Sequence, residues 1–118
     1  MDYTFVYITA PTREEAEKIG RVLVNERLAA CVNIIPGMRS IYHWQGKVEQ
    51  AQEVVVIAKT RAALFEKLAK RVRDLHSYTC PCIVSLPISA GEPTFLNWIN
   101  EYTTDNAVPS SYNEPRKE

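Results

Sequence analysis

The chain has 118 residues, 46% of them hydrophobic, with 14 Lys plus Arg balanced by 14 Asp plus Glu. That length suits one domain with its own core. Opposite charges interleaved at zero net charge speak against a nucleic-acid partner, and no stretch approaches the roughly 20 apolar residues of a membrane span.

The first element is the β-branched and aromatic "YTFVYIT", where Phe5 and Tyr7 alternate against Val6 and Ile8 as in a strand. Pro11 ends it, and Thr12 with Glu15 has the capping-box form, so a helix is predicted from there to about Ala29. Its apolar positions are Ala16, Ile19, Leu23 and Val24, and Gly20 allows close approach to a sheet. Next, "CVNIIPGMRSIYHWQGKVEQAQEVVVIAKT" reads as two long strands folded back at Gln45-Gly46, with a bend or bulge at Pro36-Gly37. Thr60 is placed to cap a second helix carrying Phe65, Leu68, Ala69, Val72 and Leu75 on one face. "IVSLPI" supplies a last strand, and Pro93 opens a short helix with Phe95, Trp98, Ile99 and Tyr102 on one face.

The order β-α-β-β-α-β plus a terminal helix predicts an α+β, ferredoxin-like fold, an antiparallel sheet with both main helices on one face. Residues 1–104 form the expected single domain, and the polar, proline-containing stretch 105–118 is expected to be a flexible tail. The topology alone names no activity.

Chemistry concentrates in "LHSYTCPCIVSLPI". His76, Cys80 and Cys82 are soft or borderline donors suited to copper(I) or zinc, and thiols two apart on an extended chain project to one side. The "CPC" spacing lacks the two-residue gap of zinc chelates, so structural thiols beside a hydrogen-bonded helix-terminal histidine are the competing account. A thiol nucleophile with His76 as base is a third, weakened by the absence of a neighbouring carboxylate or Gly-rich turn. Cys31, at a helix-to-strand passage, is assigned to the core. Three cysteines without disulfide spacing, and an N-terminus without a basic leader, point to a reduced, cytoplasmic protein.

The combination of "ITAP", the long block from "NERLAACVNIIPG" to "VVVIAKT", and "LHSYTCPCIVSLPI…FLNWI" resembles the divalent-cation-tolerance family CutA (CutA1), in order and up to about Tyr102. The resemblance implies a small, stable homotrimer linked to tolerance of copper and other divalent ions, with no established catalysis; a domain of this length is itself expected to fold without a metal. It also implies departures: Ile8 stands where copper-binding members carry a cysteine before "TAP", while Ser77 and Cys82 replace a proline and a glutamate. His76 keeps the family's histidine. A cleft between subunits in this region would gather Tyr78 with Trp44 or Lys59, a pocket for a small anion or metabolite on the pattern of PII-type trimers. Independently of the family, strands of this length should overhang a compact domain, and exposed "IYHW" makes sense if neighbouring copies cover it.

Overall fold

The structure, a computed structural model, describes residues 1–104. In chain order the elements are β1 (Tyr3–Ala10), α1 (Arg13–Asn25), β2 (Cys31–Trp44), β3 (Lys47–Arg61), a 3-10 turn (Ala62–Leu64), α2 (Phe65–Leu75), β4 (Ile83–Pro87) and α3 (Pro93–Tyr102). The sheet order is β2-β3-β1-β4 with every neighbour antiparallel, the expected ferredoxin-like arrangement. The expected tail from residue 105 lies outside the described residues.

Strand alternation divides the sheet into two faces. Val6, Ile8 and Ala10 of β1 join Val54, Val56 and Ala58 of β3 on the inner face, packed against Ala16, Ile19 and Leu23 of α1 and Leu68 and Val72 of α2. Lys59 and Arg61 point the other way, and α3 lies over them. Arg61 donates through Nε and Nη2 to the hydroxyl and carbonyl of Thr103 at 3.0 and 2.6 Å, and Lys59 Nζ stands 5.6 Å from the ring centroids of Phe5 and Phe95. Among the described residues, Ile35, Val84 and Leu86 on the rest of the outer face remain exposed.

Three local expectations are corrected. Helix α1 stops at Asn25, not Ala29, because Arg27 adopts φ +60 and the Arg27 and Leu28 N–H groups bond back to the carbonyls of Val24 and Leu23. This is a Schellman stop built on an arginine. Thr12 does cap α1, its hydroxyl accepting from the Glu15 N–H at 3.1 Å, but the Glu15 carboxylate turns away to Ser77 instead of closing a capping box. Thr60 caps nothing: it is fully buried within β3, opposite Thr4, and α2 is entered through the 3-10 turn after Arg61.

The hairpin follows the sequence closely. Gln45 and Gly46, with φ of +50 and +79, form the two-residue turn, and the register slips between Ile35 and Met38 at Pro36-Gly37. Pairing of β3 with β1 ends at Val54 opposite Ala10, so among the described residues, residues 47–53 of β3 have only β2 beside them. At about 3.4 Å per residue this arm reaches roughly 24 Å beyond the sheet. The long axis is accordingly 51 Å against 27 and 26 Å.

Candidate functional site

The loop from His76 to Cys82 carries α2 into β4 around the end of β1, and it is held by bonds from three directions. The His76 backbone N–H closes the last turn of α2 on the Val72 carbonyl, and its extended backbone leaves the helix there. Its ring turns inward and is wholly buried. Nε2 meets the Thr9 carbonyl at 2.7 Å, and Nδ1 meets the Tyr78 backbone N–H at 3.0 Å. A carbonyl only accepts and a backbone N–H only donates, so Nε2 carries the proton and Nδ1 accepts. Both ring nitrogens are thereby committed to backbone partners. Glu15, 3.3 Å from Nδ1, takes its own hydrogen bonds from the Ser77 N–H and hydroxyl at 2.9 and 3.0 Å, which pins the loop to α1.

Tyr78 stacks at a tilt on His76, with centroids 4.8 Å apart, and donates its hydroxyl to Glu53 Oε2 at 2.9 Å. Glu53 is only 8% exposed, on β3 at the root of the hairpin arm. Burial first, then the hydrogen bond and negative charge of Glu53, push the Tyr78 phenol up to about 12. Burial and the same carboxylate also push the Cys82 thiol up, so it keeps its proton more firmly than an ordinary thiol. Cys80 and Cys82 are both free and exposed.

The expected donors therefore lie in one loop without forming one centre. Among the described residues no three His, Cys, Asp or Glu side chains gather where they could hold a metal ion. His76 is the committed member, while Cys80 and Cys82 remain the accessible pair. Ile8, just ahead of the Thr9-Ala10-Pro11 tripeptide, is fully buried in the core. Cys31, assigned to the core, is instead half-buried at the start of β2 opposite Lys59.

The three residues of the suggested pocket stand at separate stations within one chain. Lys59 is six residues along β3 from Glu53, the partner of Tyr78, and Lys47, which pairs with Trp44, is six residues the other way. Each interval is about 20 Å. Sequence reasoning missed Glu53; its signal was a lone carboxylate opening the apolar run "EVVVIA".

Among known proteins, a family model described as "CutA1 divalent ion tolerance protein" matches residues 4–102. The chain belongs to the CutA1 family. Its relatives include the divalent-cation tolerance protein CutA of Thermus thermophilus, 52% identical over 98 residues that make up 83% of this chain and 95% of that protein. The solved structure of CutA from Xylella fastidiosa superposes with a TM-score of 0.86 at 41% identity, covering 88% of this chain and all of that one. The Archaeoglobus fulgidus protein, described as a periplasmic divalent cation tolerance protein, gives 0.84 at 47% identity over 86% of this chain and 99% of its own. Family membership thus spans the sheet, both main helices and the loop carrying His76. No described helix is long and apolar enough to cross a membrane.

Proposed function

We propose that the chain works as a non-catalytic homotrimer of the cytosol that handles divalent or copper ions, with the metal met at the Cys80–Cys82 end of the sheet. The observation that carries the assembly is the uncovered arm. Ile41 and Val48 are each 65% exposed and Trp44 is 45% exposed, on a hairpin with no further strand beside it among the described residues. An apolar surface of that extent on an edge hairpin is a liability in a monomer and an interface in an oligomer.

The absence of catalysis is supported by the same loop. A thiol nucleophile needs a base, and His76 has both nitrogens engaged while Cys82 holds its proton. Free, exposed thiols suit a reducing compartment. His76 joins a metal only by giving up its bond to Thr9 or to Tyr78, so the thiols are the accessible ligands. Sedimentation equilibrium at micromolar concentration is expected to return three times the chain mass, and a monomer would end the assembly reading. Calorimetric titration of the reduced protein with each metal, counted per trimer, tests the metal reading separately.

A further inference from the structure

We propose that the loop between α2 and β4 is a strap on the hairpin arm, with Tyr78 as the strut that fixes the angle at which the arm leaves the sheet. The device needs neither a metal nor a second copy of the chain, and so stands apart from the reading above.

The arm has a hinge line at its root. Pairing of β1 with β3 stops at Val54, and the β2–β3 ladder resumes after its slip with Met38 opposite Glu53. Both breaks fall at one level, so Met38 and Glu53 form the first pair on the far side of the hinge. Pro36 has no N–H to give to the ladder, and a Cβ at Gly37, which has φ +87, would meet nothing within 4 Å. The backbone here offers little resistance to bending.

Each member of that first pair is gripped by a tyrosine from outside the arm. Tyr78 donates its hydroxyl to Glu53 Oε2 at 2.9 Å, and Tyr7 of β1 donates to Met38 Sδ at 3.4 Å. Among the described residues, no other side-chain hydrogen bond or ion pair joins residues 36–53 to the rest of the chain. The two grips are unequal, because a carboxylate is a strong acceptor and a thioether a weak one. They also act on one side. Strand alternation puts Glu53 on the outer face with Val55, Ile57 and Lys59, and Tyr7 shares that face opposite Ile57. A restraint on the outer face alone leaves the arm free to tilt toward the helices once it is released.

The other end of the strut is anchored to both layers of the domain. Ser77 donates its N–H and hydroxyl to Glu15 of α1 at 2.9 and 3.0 Å, and His76 Nε2 donates to the Thr9 carbonyl of β1 at 2.7 Å. His76 Nδ1 accepts the Tyr78 N–H at 3.0 Å. Displacement of the loop is therefore passed to Glu53 through one side chain. Ser77, whose side-chain bond goes to α1 and not to the arm, controls the arm through Tyr78.

Pulsed electron resonance between nitroxides at the arm tip and on α1 reads the angle. The labels go on Lys47→Cys and Lys18→Cys, both exposed positions, in the full-length chain carrying Cys31→Ser, Cys80→Ser and Cys82→Ser. Labelled chains are diluted with unlabelled ones so that only distances within one chain count. The parent should give one narrow distance. Tyr78→Phe should broaden it by at least about 4 Å, the sweep of ten degrees over the arm, and shift it shorter. Tyr7→Phe should broaden it less, and Glu53→Gln, which keeps an acceptor, should stay near the parent. Ser77→Ala should also broaden it, which a purely local role for Ser77 would not do. Circular dichroism checks folding; should Tyr78→Phe not fold, Ser77→Ala, altered at an exposed position, decides alone. A narrow, unshifted distance in folded Tyr78→Phe or in Ser77→Ala would overturn the strap, as would a larger effect from Tyr7→Phe than from Tyr78→Phe.

Discussion

At the scale of single residues, the Glu53–Tyr78 contact has the largest predictable consequences. A carboxylate buried to this degree depends on its donor, so Tyr78→Phe should destabilise the fold by about 1–3 kcal/mol in denaturant titrations, and Glu53→Gln should recover part of the loss. Tyr78 ionises in the folded state at about 12, above the roughly 10 of an unfolded tyrosine. Its contribution is therefore complete below pH 10 and is lost as pH rises through 12. The stability gap between the native protein and Tyr78→Phe should narrow over that window. Removing the Glu53 charge also takes away one of the two causes that raise the Cys82 thiol. Alkylation of Cys82 at pH 8, followed by peptide mass spectrometry, should run faster in Glu53→Gln, though burial keeps it slower than a free thiol. Arg27 offers a gain in place of a loss. A left-handed arginine carries strain that glycine lacks, so Arg27→Gly should raise stability by about 0.5–1 kcal/mol, read as a higher melting temperature.

At the scale of elements, α1 and β2 approach each other closely at Gly20. A Cβ added at Gly20 would stand 3.0 Å from Val32 Cγ1, and a β-branched neighbour has little freedom to move away. Gly20→Ala should therefore cost about 1–3 kcal/mol despite alanine's better helix propensity, and Val32→Ala introduced beside it should restore part of the difference. This close approach was legible in the sequence, as were the four strands, the Gln45-Gly46 turn, the bulge and the Pro93 start of α3. Each of those is written by local chemistry: period-two alternation, left-handed turn residues, or a missing N–H. What misled was set by partners distant in sequence. Thr60 has the chemistry of a cap, but β3 runs on through Arg61, which is tied to Thr103 of the closing helix turn. Glu15 sits at capping-box spacing, yet Ser77 supplies two donors for its carboxylate. The loop cluster of His76, Tyr78 and Cys82 could be read from the sequence, whereas the engagement of both imidazole nitrogens depends on the Thr9 carbonyl of another strand and could not.

At the scale of the whole molecule, elongation and exposure coincide. The radius of gyration is 15.2 Å, against about 13 Å for a compact domain near 100 residues, and the excess length is the arm that bears Ile41, Trp44 and Val48. If neighbouring copies cover that arm, Trp44→Ala should leave the far-ultraviolet spectrum near native while moving assembly to higher protein concentration and making the melting temperature concentration-dependent. A variant that stays fully associated and loses only small-molecule binding would place Trp44 in a ligand pocket. The bulge at the arm's root adds a mechanical condition. Gly37 has φ +87, and a Cβ there would meet nothing within 4 Å, so the residue sets an angle and fills no space. Over a lever of roughly 24 Å, a change of ten degrees at that pivot sweeps the tip through about 4 Å, close to the distance between adjacent paired strands. If copies close into a ring as proposed, each tip must land within much less than that, and the size of such an assembly would then be set in part by the backbone angle at one glycine far from any contact it controls.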